Sequence, residues 1–274
     1  MLRQFVAVSF VLFVASSLAQ LSAQDWKSGI PWEKPPVVKP GAKPGDPPSD
    51  AIILFDGKDL SAWTKDNWLI ENGDLVCNPG KGSLATKQAF GSIQLHIEFA
   101  IPTDTKGRGQ ERGNSGVFWG GYEVQVLDSH DGETYFDGQC GSIYKQCAPI
   151  VNVCRKPGDW QCYDITFNRP ELKIEKKNVI ENGDASKTSE QTVVTVLRPA
   201  YITVFQNGVL VINHHEIKGT SFYDRPPAYE AHADKMPISL QDHGNKTRFR
   251  NIWVREIPDA DKHPEPVKAA YYNK

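Results

Sequence analysis

Residues 92–100, Ser92-Ile93-Gln94-Leu95-His96-Ile97-Glu98-Phe99-Ala100, alternate without a break between apolar side chains (Ile93, Leu95, Ile97, Phe99) and polar ones (Gln94, His96, Glu98). A period of two belongs to a strand with one buried and one wet face, because successive Cβ atoms point to opposite sides of the pleat. Residues 122–127 alternate in the same way. Asn72-Gly73 stands between the apolar runs 68–70 and 75–77, and Asn207-Gly208 between 201–205 and 209–212. Asn-Gly in that position marks a two-residue hairpin, since both central residues of a type I′ turn need positive φ. Residues 161–167, 193–197, 237–241 and 249–256 add further strands, about ten in all, and no long amphipathic helix interrupts them.

Many short antiparallel strands separated by turns imply an all-β fold, a two-sheet antiparallel β-sandwich or jelly roll, here over residues 51–257. Residues 1–23 read as a signal peptide: Arg3 supplies the positive start, residues 5–19 are apolar, and small residues lead to Ala23. The apolar run is shorter than the roughly 20 residues of a membrane span, and no cysteine stands at the cleavage point for lipid attachment. The expectation is an exported protein, periplasmic or secreted, with no membrane anchor. Residues 24–50 form a Pro-rich linker; Pro31, Pro35, Pro36, Pro40, Pro44, Pro47 and Pro48 fix φ and donate no hydrogen bond, which predicts an extended spacer. Residues 258–274 read as a polar C-terminal tail, and the charged stretch 171–191 as an excursion at the sandwich edge.

Lys and Arg number 31 against 33 Asp and Glu, a formal net charge of -2, with neither sign in a long block. That excludes a nucleic-acid partner, which needs a concentrated basic footprint. Cys140, Cys147, Cys154 and Cys162 cluster without the two-residue gap or interleaved histidines of a zinc knuckle. In an exported chain the reading is disulfides among these four, in one of three pairings, with Cys77 left as a buried thiol.

Within a strand, residues i and i+2 share a face, about 7 Å apart, and neighbouring strands lie about 4.8 Å apart. Glu123 with Gln125, Ser239 with Gln241 and His243, and Gln94 with His96 and Glu98 are three such polar sets. On adjacent strands of one sheet they would merge into a surface of acid, amide and imidazole, the groups that move protons and hold sugar hydroxyls. The alternative, the wet face of an amphipathic strand, suits Gln94 and His96 best and is weaker for Glu123 with Gln125 and for Gln241 with His243, which stand beside glycine-rich turns. Among the tryptophans, Trp119 is singled out as a cleft residue, lying between the turn Gly113-Asn114-Ser115-Gly116 and Gly120-Gly121; Asn114 joins the candidates.

Several segments resemble the 3-keto-disaccharide hydrolase family: Leu54-Phe55-Asp56-Gly57-Lys58-Asp59-Leu60 with Trp63, Gly113-Asn114-Ser115-Gly116-Val117, Tyr122-Glu123-Val124-Gln125-Val126-Leu127-Asp128, Gly141-Ser142-Ile143-Tyr144, Lys156-Pro157-Gly158-Asp159-Trp160, Val204-Phe205-Gln206-Asn207-Gly208, and Leu240-Gln241-Asp242-His243-Gly244 with Phe249-Arg250-Asn251-Ile252. The resemblance implies a concanavalin-like jelly roll, a carbohydrate substrate and cleavage of 3-keto-glycosides. A ketone at C3 acidifies the C2 hydrogen, so a base can remove it while the glycosidic oxygen leaves C1, and water then adds back. Glu123 and His243 are the catalytic pair, one base and the other acid, with Gln125, Gln241, Arg250, Trp119, Asn114 and Glu98 binding substrate. No cofactor is required by the pattern; a divalent metal on Glu123 and His243, with Glu98 as a third ligand, is one source of the electrophile. The competing readings are a non-catalytic, lectin-like carbohydrate-binding module, an ordinary glycosidase with paired carboxylates, and an adhesive domain.

Overall fold

The computed structural model describes residues 30–65, 67–181 and 184–259. The expected signal peptide and most of the expected tail lie outside the described residues. Among the described residues the regular secondary structure is almost wholly antiparallel strand, with two short 3-10 turns. The larger sheet runs in the order β12 (Val209–Glu216), β11 (Tyr201–Gln206), β8 (Gln161–Asn168), β5 (Ile93–Ala100), β14 (Arg248–Glu256), β3 (Asp74–Val76) and β2 (Leu69–Glu71), and β1 (Ile52–Phe55) also pairs with β14. The smaller sheet has the order β4 (Leu84–Phe90), β13 (Met236–Leu240), β6 (Ser115–Trp119) and β7 (Tyr122–Val126). Of the stretch 171–191, expected as an edge excursion, residues 171–181 and 184–191 fall within a two-stranded sheet of their own, β9 (Glu171–Glu181) with β10 (Asp184–Arg198).

The two main sheets pack face to face around one apolar core. Ile93, Leu95, Ile97 and Phe99 of β5 and Tyr163, Ile165 and Phe167 of β8 meet Val117 and Trp119 of β6 and Val124 and Val126 of β7, all buried. Trp119 stacks on Phe167 across the sandwich, ring centroids 5.3 Å apart and planes 16° from parallel. Both Asn-Gly pairs turn hairpins: Asn72 and Gly73 have φ of 54° and 85°, Asn207 and Gly208 of 54° and 79°. Any residue but Asn, Asp or Gly would be strained there.

Part of the proline-rich segment makes contacts that a free spacer would not. The Gly45 carbonyl accepts hydrogen bonds from Asn251 Nδ2 and Trp253 Nε1, both at 2.9 Å, and Asp50 accepts from Arg255. This strap covers the outer face of β5 and β14, so His96, on the polar side of its strand, is only 2% exposed. At the other end Asp259 accepts from Ser92 at 2.7 Å and from Arg169 at 2.9 Å.

Candidate active site

The outer face of the smaller sheet carries a cavity of about 260 Å³. Its floor is set by strand register. Ser239, Phe118 and Glu123 lie in one row across β13, β6 and β7, and Gly116 faces Gln125 in the next. Past the end of β13 the Gln241 N–H still bonds the Gly116 carbonyl at 3.0 Å, so Gln241 continues that row. Alternation along β6 then decides which side chains see the cavity: Val117 and Trp119 turn to the core, while Asn114, Gly116 and Phe118 turn outward.

Glu123 lies on this floor, 6% exposed. Among the described residues no hydrogen bond or ion pair reaches its carboxyl group, and burial alone pushes its pKa up to about 8. A carboxyl in a poorly solvated wall keeps its proton because the ion would lose its hydration without compensation. Gly116 makes the space: a Cβ there would stand 2.6 Å from Glu123 Oε1. Beside it, Gln125 Nε2 donates to Asn114 Oδ1 at 3.1 Å, and Asn114 Nδ2 donates to the Gln110 carbonyl at 2.7 Å. Gln110 Nε2 is held in turn by Thr134 Oγ1 at 2.9 Å and the Gly138 carbonyl at 2.8 Å. These amides are therefore fixed before any ligand arrives. Gln241 differs, since its buried Oε1 has no partner among the described residues, an unfilled acceptor on the cavity wall.

The loops that roof the site are tied to the sandwich. Buried Asp128 accepts from Arg112 Nε at 3.0 Å and its N–H bonds the Arg112 carbonyl, which fixes the loop carrying Gln110 and Asn114. Tyr163 reaches through the core to donate its hydroxyl to the Gln125 carbonyl at 2.6 Å. Tyr144 contributes a wall, its hydroxyl 2.7 Å from that of Tyr135. His243 stands exposed at the rim on the turn after β13. Asp242 anchors that turn by accepting the N–H groups of Gly82 at 2.9 Å and Gly244 at 3.0 Å. Burial works to raise the Asp242 pKa, but backbone N–H groups of Gly244, Gly82 and Gly80 outweigh it and hold the carboxylate below its ordinary range.

A family profile described as a 3-keto-alpha-glucoside-1,2-lyase-like domain matches residues 50–255. The chain belongs to this family. It is similar to a structure from Parabacteroides distasonis provisionally named a glycosyl hydrolase, at 43% identity and a TM-score of 0.72, covering 82% of this chain and 93% of that one. Two more structures from the same organism, also provisionally named glycosyl hydrolases, share the fold alone: one at 21% identity with a TM-score of 0.51, covering 76% of this chain and 99% of its own, the other at 16% and 0.52, covering 76% and 94%. No curated protein sequence matches the chain.

In this 3-keto-glucoside-1,2-lyase-like fold, Glu123, Gln125, Asn114, Gln241 and His243 line one cavity, together with Gln110, Phe118, Tyr144, Ser221 and Tyr223. Three expected members are elsewhere. Trp119 is 0% exposed in the core, because it shares the inward parity of Val117. Glu98 and Arg250 pair with each other at 2.7 Å on the outer face of the larger sheet, since β5 and β14 belong to that sheet and not to the one holding Glu123. The donor set does not fit a metal at Glu123 either. With Glu98 removed only Glu123 and His243 remain, and among the described residues no group of three or more His, Cys, Asp or Glu is placed to hold an ion. Cys140, Cys147, Cys154 and Cys162 are all free thiols rather than disulfides. The Cys140 thiol lies 3.0 Å from the Tyr163 hydroxyl in the core, a buried pairing that spacing along the chain does not reveal.

Phe118 was within reach of sequence reasoning, being the outward neighbour of two inward residues. Tyr144 sits inside one of the segments that carry the family resemblance. Gln110, Ser221 and Tyr223 come from loops without periodicity, and no signal in the chain marks them.

Proposed function

We propose that this chain is an exported enzyme that cleaves glycosides of 3-keto sugars by elimination across C1–C2 followed by addition of water. The observation that carries this reading is a buried carboxyl, Glu123, with no hydrogen bond or ion pair among the described residues, in a sugar-sized cavity rimmed by an imidazole; burial lifts its pKa to about 8, which favours the proton-holding form at neutral pH. The family match and the glycosyl hydrolase relative support action on a glycosidic bond. Export is supported by the signal-like pattern of residues 1–23.

His243 takes the proton from C2, which the neighbouring ketone has acidified, and the electron pair passes to the C3 oxygen as an enolate. The enolate reforms the ketone as the C1–O bond breaks, leaving a double bond between C1 and C2. Glu123 delivers its proton to the departing oxygen. Water then adds at C1 and gives one proton to the Glu123 carboxylate, while His243, exposed at the rim and exchanging its proton with solvent, delivers a proton to C2, so the net change is hydrolysis and both groups are reset. The Tyr144 hydroxyl, held beside that of Tyr135, stands on the wall as a donor for oxygen that gains charge, and a donor fixed in advance needs no reorganisation during the reaction. Gln241 Oε1 is free to accept a sugar hydroxyl.

Turnover of a 3-keto-glycoside in deuterium oxide separates this course from direct displacement. Elimination and hydration place deuterium at C2 of the released sugar during initial turnover. Product carrying only hydrogen there contradicts it.

A further inference from the structure

A second cavity, about 410 Å³, opens on the outer face of the larger sheet, the sheet that does not hold Glu123. Its wall follows from register: His96 of β5 faces Asp164 of β8, and Glu98 stands two residues along the same face. Asp164 Oδ1 lies 2.6 Å from His96 Nδ1, which fixes the imidazole. The other nitrogen, Nε2, is buried and has no hydrogen-bond partner among the described residues, with Glu98 Oε1 at 3.8 Å, beyond bonding distance. The His96 side chain is 3% exposed. A buried imidazole nitrogen left open is costly unless a ligand or water completes it.

The remaining groups say what would complete it. Glu98 is already matched, accepting from Arg250 Nε at 2.7 Å and Asn251 Nδ2 at 2.9 Å. Asp164 keeps 44% of its side chain exposed, which offers an acceptor. Arg155 uses one N–H on the Trp160 carbonyl at 2.9 Å, and the rest of its guanidinium borders the cavity as a donor. The indole of Trp160, with the Arg250 guanidinium 4.0 Å from its ring centroid, supplies a fixed flat wall. Two carboxylates face two guanidinium groups, so neither an anion nor a cation is favoured, and His96, Glu98 and Asp164 are not placed to hold a metal. Acceptors, donors and an aromatic plane in charge balance fit a neutral, hydroxyl-rich ring.

We propose that this cavity is a second, non-catalytic carbohydrate site that binds a neutral sugar unit on the sheet opposite the reacting bond. It stands apart from the 3-keto chemistry, because none of its residues lines the Glu123 cavity. The test titrates the full-length protein and E123Q with a panel of neutral hexasaccharides of gluco, xylo, manno and galacto configuration, alongside an oligogalacturonate, by calorimetry. At least one neutral oligosaccharide binds saturably to both proteins, and W160A and D164N weaken it about tenfold or more. Turnover of a small 3-keto-glycoside by those two variants stays within about twofold of wild type. Circular dichroism confirms that each variant folds, and if D164N does not, W160A in its loop decides alone. No binding by any neutral oligosaccharide, binding undiminished in W160A, or preferential binding of the acidic oligosaccharide overturns the proposal.

Discussion

Gly116 lies beneath the carboxyl group of Glu123 from the neighbouring strand, so close that a Cβ there would stand 2.6 Å from Glu123 Oε1 and 2.6 Å from Cε2 of Phe118. The glycine is needed for room, since its φ is not among the positive ones. G116A therefore pushes the carboxyl out of its pocket while leaving the backbone allowed. A displacement near 1 Å at a reacting group costs about a hundredfold in rate, and kcat/KM of G116A on a 3-keto-glycoside should fall by that order with the circular dichroism spectrum unchanged.

Glu123 must hold its proton to protonate the leaving oxygen, and burial puts its pKa at about 8. The rate should then be flat with respect to this group below that value and fall tenfold for each pH unit above it. A kcat/KM profile with no alkaline limb near that pH removes Glu123 as the acid.

The same burial links stability to pH. The folded state raises Glu123 from its ordinary 4.5 to about 8, so across that window the folded chain keeps a proton that the unfolded chain has released. Stability is fully present below the lower value, declines as pH rises, and the loss is complete above the upper one, on the order of 5 kcal/mol. Glutamine cannot ionise, so E123Q escapes the decline. Thermal unfolding from about pH 5 to about pH 9 should show the Tm of E123Q gaining steadily on wild type.

Asp242 places His243 by closing its turn onto the Gly244 N–H and tying that turn to the Gly82 N–H of the segment before β4. D242A removes these charge-assisted bonds and should cost about 2 kcal/mol in chemical unfolding. It should also lower kcat, whereas H243A should lower kcat while leaving stability within about 0.5 kcal/mol of wild type, because His243 is exposed at the rim.

The strands and their hairpins could be read from the chain because alternation and Asn-Gly turns are local properties. Residues 92–100 name their inward side chains, and Asn72-Gly73 and Asn207-Gly208 state their own φ requirement. Sheet membership is not local. The polar faces of β5, β7 and the end of β13 look alike in sequence, yet β5 pairs with β8 and β14 while β7 and β13 flank β6. That is why Glu98 and Arg250 part from Glu123, whereas Gln241 and His243 join it. Trp119 misled for a related reason: flanking glycines suggest a surface turn, but parity with Val117 sends the indole inward onto Phe167. The free cysteines and the covering of His96 by Gly45 depend on tertiary packing that no spacing encodes.

Replacing Glu123 by glutamine changes the carboxyl to an amide of nearly the same shape, so the cavity and the sugar contacts persist while the transferable proton is lost. Turnover of a 3-keto-disaccharide by folded E123Q, measured beside wild type with the unoxidised disaccharide as control, is expected to drop by about a thousandfold or more. E123Q turning over the 3-keto substrate at the wild-type rate contradicts the assignment of Glu123 as the proton donor.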